Sequence, residues 1–76
     1  MSIGTIKQSR LIKFIEANGF YKRRQSGSHA TYRNDVLNIT IVIPVGRKDT
    51  LDYLITDVRK ALGLSKDEFE RSIKNF

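Results

Sequence analysis

Leu51, Leu54, Ile55, Val58, Ala61 and Leu62 recur at three- and four-residue intervals without a break. That spacing places all six on one stripe of an α-helix and leaves Tyr53, Asp57 and Lys60 on other faces. A short helix of this kind owes its stability to whatever covers its apolar side. The chain has 76 residues and no cysteine, so neither a disulfide nor a thiolate-bound metal can take that place. The stripe therefore demands a partner layer made from the rest of the chain, and a domain this small must pack it efficiently.

The partner layer is legible in the middle of the chain. "NITIVIPV" (38–45) is rich in β-branched residues, and Ile39, Ile41 and Ile43 alternate on one side, which should be buried. Pro44 donates no backbone hydrogen bond, so it should close this strand or lie at an edge. Upstream, "FYKRRQ" (20–25) and "HATYR" (29–33) flank "SGS", which reads as a hairpin loop with Gly27 at positive φ. Asn34 and Asp35 mark the next turn. In the second strand Ala30 and Tyr32 share the core side, while His29, Thr31 and Arg33 point away. The first strand alternates poorly, because Phe20 falls in parity with Lys22 and Arg24, and its register stays open.

Two further helices frame these strands. "TIKQSRLIKFIEANGF" carries Ile6, Leu11, Phe14 and Ile15 on one face, with Thr5 and Gln8 at capping-box spacing. Gly19 suits its left-handed stop, with Phe20 folding back onto Ile15. For the second helix Thr50 is the expected N-cap, Asp52 favours the first turn, and Arg59 and Lys60 favour the last. Gly63 and Leu64 repeat the glycine-hydrophobic stop, and "SKDE" (65–68) opens a short final helix with Phe69 and Ile73 on one side. The expected fold is a single α+β domain spanning residues 1–76, a two-layer α-β-β-β-α arrangement. A three-stranded antiparallel sheet carries two helices on one face, and a short C-terminal helix follows. The other face of the sheet would remain in water and display His29, Thr31 and Arg33.

Charge narrows the function. The net charge is +6, and it is unevenly spread. Residues 1–48 hold nine Lys and Arg against only Glu16 and Asp35, whereas the remainder is nearly balanced. Such asymmetry suits a protein that meets a polyanion on one surface. No apolar N-terminal stretch resembles a signal peptide, and "ITIVIPV" is too short to span a bilayer, so a soluble cytoplasmic protein with no membrane partner is expected. The single histidine, the scattered carboxylates and the lack of a phosphate-cradling glycine loop argue against a metal site or a nucleotide-binding loop.

What remains is His29, set among Lys22, Arg23, Arg24 and Arg33. An imidazole, with an ordinary pKa of about 6.5, can exchange a proton at neutral pH. Cations beside it can neutralise a phosphodiester as charge builds. RNA brings its own nucleophile, the 2′-hydroxyl, so one base and a few cations could suffice without a metal or other cofactor. The blander alternatives are a solvent-facing His29 that only touches phosphate, a charged strand edge that resists aggregation, and ordinary turn chemistry at Ser28.

The succession "LIKFIEANGF", "KRRQSGSHATYRN", "ITIVIPV" and "KDTLDYLITDVRKALGLSKDEF" resembles the HicA-type toxins of bacterial toxin–antitoxin systems. The likeness runs from about Lys7 to Phe69, and "GSH" in the basic hairpin is its most specific piece. It implies a double-stranded-RNA-binding-like fold and a small, metal-independent ribonuclease acting on messenger RNA, held inactive by a cognate antitoxin of the HicB type, expected to be acidic. The catalytic histidine of the family falls on His29, with Gly27 and Ser28 in the same motif. Lys22, Arg23, Arg24, Arg33 and Lys48 would hold the RNA. Family members often carry a second histidine after the Pro-containing strand, where this chain reads "PVGRKD". The second proton would then come from water, from Lys48 or Lys22, or from His29 acting twice. A non-catalytic module that binds double-stranded RNA, and a subunit that binds only protein, are the competing readings.

Overall fold

A computed structural model describes residues 5–76. The elements run α1 (Gln8–Ala17), β1 (Tyr21–Ser26), β2 (His29–Asn34), β3 (Ile39–Pro44), α2 (Asp52–Leu62) and α3 (Lys66–Ile73). The strands form one antiparallel sheet in the order β1-β2-β3, and the expected α+β architecture holds.

Alternation decides which face is dry. Along β2, Ala30, Tyr32 and Asn34 are buried and His29 is exposed; along β3, Ile41 and Ile43 are buried while Val42 is exposed. The inward side chains meet Ile6, Leu11, Phe14 and Ile15 from the α1 region, Leu54 and Val58 from α2, and Phe69 and Ile73 from α3. The helical stripe of α2 is therefore covered by the sheet, as its pattern requires. Burying a side chain such as Leu54 contributes on the order of 1.5–3 kcal/mol relative to leaving it in water.

The first strand keeps its own logic. Lys22 pairs with Tyr32 but Arg24 pairs with Thr31, so Arg23 is an extra residue in a β-bulge. The bulge shifts the parity midway: Lys22 faces the helices with Tyr32, and Arg24 faces outward with Thr31. No alternating pattern could survive such a shift. At the other end of the hairpin Gly27 has φ +57°, first of the two loop residues, where a type II′ turn takes glycine.

Two expected caps are absent. Helix α1 begins at Gln8 after Lys7, with no side-chain cap, and α2 begins after Leu51 rather than Thr50. The segments leading into these helices lie side by side. Gln8 N–H donates to the Lys48 carbonyl at 2.9 Å, Thr50 N–H donates to the Ile6 carbonyl at 2.8 Å, and Lys7 pairs with Asp49. At α1 the Lys48 carbonyl thus supplies part of what a capping side chain would, since Gln8 is the first residue of that helix. Gln8 is freed to donate from Nε2 to the Pro44 carbonyl at 2.5 Å.

The stops behave as their sequences indicate. Gly19 has φ +95°, and Phe20 N–H returns to the Ile15 carbonyl at 3.0 Å. A Cβ at Gly19 would come within 3.1 Å of Asn34 Nδ2. Asn34 is nearly fully buried at the end of β2, not in the turn; it donates to the Asn18 carbonyl and accepts from Leu37 N–H, both at 3.0 Å. It thereby ties the end of α1 to the β2–β3 turn.

Helix α3 closes the core from the far side of α1. Phe14 meets Phe69 and Phe76 edge-on, each at 5.5 Å between ring centres. Arg10 donates to the carbonyls of Ile73 at 2.9 Å and Phe76 at 2.8 Å, satisfying acceptors at the end of the chain. Its entry is the anticipated capping box: Ser65 Oγ accepts from Glu68 N–H at 3.1 Å, and Glu68 Oε1 accepts from Ser65 N–H at 2.9 Å. Those two bonds hold the Glu68 carboxyl below its usual range. Ser65→Ala should cost about 1 kcal/mol, a melting temperature roughly 4–8 °C lower for a domain of this size, measurable by circular dichroism. An unchanged melting temperature would mean that this cap adds little to the fold.

Candidate functional site

Strand pairing arranges the open face in three rows. The row nearest the hairpin tip holds Ser26, His29 and Pro44; the middle row holds Arg24, Thr31 and Val42; the far row holds Tyr21, Arg33 and Thr40. Neighbours within a row are close enough to act together. His29 is exposed at the tip, one row from Arg24, and Ser28 Oγ lies 3.5 Å from His29 Nδ1. At that length Ser28 gives the ring only weak orientation. With the proton on Nδ1, the outer nitrogen Nε2 carries the free lone pair.

Val45 N–H donates to the Ser28 carbonyl at 2.6 Å, which anchors the segment after β3 against the tip of the hairpin. That bond also fixes the sense of the ladder: alternate residues counted from Val45 bond towards β2, and Pro44 is one that does not. Its missing N–H would face away from the sheet, which is why proline is tolerated there. Gly46, Arg47 and Lys48 follow directly in the chain. Lys48 is exposed, with its carbonyl held by Gln8 N–H.

The basic residues do not form one cluster. Arg24 shares the face of His29. Arg23 sits in the bulge at the edge of the sheet. Lys22 lies on the opposite side, its Nζ donating to Gln25 Oε1 at 2.5 Å. Arg33 is on the open face two rows away, but its guanidinium is engaged: it donates to Asp35 at 3.1 Å, to Thr40 Oγ1 at 3.1 Å and to Asn38 Oδ1. Arg33–Asp35 is the one ion pair among the described residues, so the charge of Arg33 is largely neutralised at home. Sequence reading names Arg33 as a ligand for RNA and does not anticipate that Asp35, two residues on, would take it up.

Asp35 is the hub of this far row. Hydrogen bonds from Arg33 and Tyr21 hold its carboxyl below the ordinary range, and the same bond pushes the Tyr21 phenol up. Burial first, and the nearby charge of Glu16 second, raise Tyr32 on the other face. Thr40 and Val42 join the site from β3; period-two alternation of "ITIVIP" could have placed them on the face of His29. Arg47, in the segment after β3, is a cation that sequence reading does not single out. No group of three or more His, Cys, Asp and Glu side chains that could hold a metal occurs among the described residues.

A three-stranded sheet with helices on one face, its other face open beside a basic hairpin edge, defines a small α-β-β-β-α domain of the kind expected for a polyanion-facing protein. The sequence matches the family described as the HicA toxin of bacterial toxin-antitoxin over residues 9–64, most of the chain. The chain belongs to that family, and it is thus the toxin member of a pair whose counterpart is an antitoxin. A search of the curated proteins finds no match. Among the described residues no helix is long and apolar enough to cross a membrane.

The Asp35 hub makes a pH-dependent prediction. A carboxyl whose folded pKa is depressed adds stability above its unfolded value, about 3.9, and that contribution is lost as pH falls through the folded value. Parent and Asp35→Asn chains should therefore differ in urea midpoint at pH 6 and converge towards pH 2.5. A difference that is constant with pH would show that the ionised carboxylate does not matter.

Proposed function

We propose that the protein is a metal-independent endoribonuclease that cuts messenger RNA in the cytoplasm, with His29 as the proton-transfer group. The observation that carries this reading is the single histidine exposed on the open sheet face, at a hairpin tip one row from Arg24, in a chain of the HicA toxin family. His29 Nε2 takes the proton of a 2′-hydroxyl. The 2′-oxygen bonds to the adjacent phosphorus, and the bond from phosphorus to the 5′-oxygen breaks. The products are a 2′,3′-cyclic phosphate and a 5′-hydroxyl.

The leaving 5′-oxygen needs a proton. Lys22 faces the other side of the sheet, which speaks against it in this role. Lys48, a water, or His29 in its protonated form remain, and the single ring of His29 can serve both ends of the reaction in turn. Arg24, with Arg23 at the bulge, would neutralise the phosphate as charge builds. Gly27 keeps the tip tight enough for the backbone and Ser28 to approach the phosphate. Arg33, occupied by Asp35, is better suited to holding Tyr21 and the β2–β3 turn in place than to gripping RNA.

An acidic antitoxin of the HicB type would restrain such an enzyme by covering the same cations with carboxylates. The lone histidine and its weak orientation by Ser28 also favour a second reading, a module that binds RNA without cutting it. Both the wild-type chain and His29→Ala should bind RNA, with an affinity that falls steeply as salt rises. Only the wild type should cut it: His29→Ala should lose cleavage by roughly 10²–10⁴-fold, and growth arrest with it, at an unchanged melting temperature. Equal cleavage by the two chains would exclude His29 as the base, and binding without products from either would select the second reading.

A further inference from the structure

The sheet has a second basic feature on its helix side. A groove of about 270 Å³ opens between the first turn of α1 and the edge of the hairpin. Ser9, Lys22, Gln25 and Arg47 line it as exposed side chains, and the half-buried Ile12 and the buried Gln8 lie deeper. No carboxylate lines the groove, and neither Lys22 nor Arg47 is in an ion pair among the described residues. The Arg23 bulge is what turns Lys22 into this groove while Arg24 stays with His29.

Gln8 is the unusual member. It is only 4% exposed, and its Nε2 is committed to the Pro44 carbonyl. That bond fixes the amide orientation and leaves Oε1 buried with no partner among the described residues. A buried acceptor without a donor is costly and calls for a physical explanation. Two cations and the positive end of α1 would suit a phosphate, but an anion would not satisfy a carbonyl oxygen and has no use for Ile12. A flat group bearing an N–H, carried on a phosphate chain, answers all of these features at once.

We propose that this groove holds one nucleotide of the RNA strand next to the cut, its base over Ile12 with an N–H reaching towards Gln8 Oε1, and its phosphate between Lys22 and Arg47. The proposal rests on the RNA-cleaving reading and deepens it. The strand would cross the β1 edge at the bulge, with Arg24 and Arg23 guiding it from the His29 face to the helix side. A base can enter the groove only when it is unstacked and unpaired, so the substrate is single-stranded at that point. This gives the basic run "KRR" a division of labour: Arg24 serves the reaction face, Arg23 the crossing and Lys22 the flanking nucleotide.

The test uses the full chain and a single-stranded 2′-O-methyl RNA oligomer, which has no 2′-hydroxyl to attack. Binding is read by fluorescence anisotropy with the parent, Ser9→Phe, Lys22→Glu and the control Lys66→Glu. Ser9→Phe fills the groove without changing charge and should weaken binding about ten-fold, the order expected for losing one apolar contact and one hydrogen bond. Replacing one position of the oligomer by an abasic unit should cost the parent a similar factor, at one place in the scan, and should cost Ser9→Phe nothing further. Lys22→Glu should weaken binding more than Lys66→Glu, which tests the groove even if Ser9→Phe fails to fold. Binding by Lys22→Glu equal to that by Lys66→Glu, with no sensitive abasic position, would overturn the groove and leave the nuclease reading standing. Failure of the parent to bind any RNA at low salt would overturn both.

Discussion

The pairing of β2 on both of its edges is the constraint on which the rest depends. Between β1 and β3 its side chains alternate strictly, so Ala30 and Tyr32 enter the core and His29, Thr31 and Arg33 leave it. A slip of one residue would bury His29 and Arg33 and expose Tyr32, which the core cannot tolerate. The register is fixed locally by the two-residue turn at Gly27 and Ser28, and remotely by Asn34, which bonds to both α1 and the next turn. Stability and the display of the candidate site are therefore set by the same ladder. Whatever keeps Tyr32 under the helices also holds His29 out in solvent.

Much of this was legible in the sequence because its causes are local. The α2 stripe, the β2 and β3 alternations, the glycine stops and the Ser65–Glu68 capping box each involve residues within a few positions of one another. The features that escaped depend on pairings that no residue pattern announces, some between distant segments and some within a turn. Thr5, Gln8 and Thr50 look like caps, yet the Lys48 carbonyl serves the entry of α1, Thr50 N–H bonds back to Ile6, and the Gln8 side chain turns to Pro44 instead. The Arg23 bulge has no sequence signature beyond the failure of "FYKRRQ" to alternate, a failure that is itself the trace of a parity shift. Arg33 looks like a free cation only until the turn brings Asp35 and Asn38 against it.

The same distinctions reshape the candidate site. A basic run adjacent in sequence is divided in space, with Arg24 and Lys22 on opposite sides of the sheet and Arg23 between them. A long flexible polyanion can follow such an edge, whereas a compact anion could use only one side of it. Membership of the HicA toxin family places the protein opposite an antitoxin, and an acidic partner that covers the hairpin edge would block both sides together. The exposed Val42, at the centre of the open face, would add an apolar contact to either a base or a partner chain.

The central claim is that RNA meets the open face of the sheet and the hairpin edge. The most direct measurement is an amide ¹H–¹⁵N spectrum of the wild-type chain titrated with the 2′-O-methyl RNA oligomer. Signals of Arg24, Gly27, Ser28, His29, Thr31 and Val42 should shift with saturable dependence on RNA, while those on the outer faces of α2 and α3 stay in place. Shifts confined to α2 and α3, with the hairpin unmoved, would contradict it.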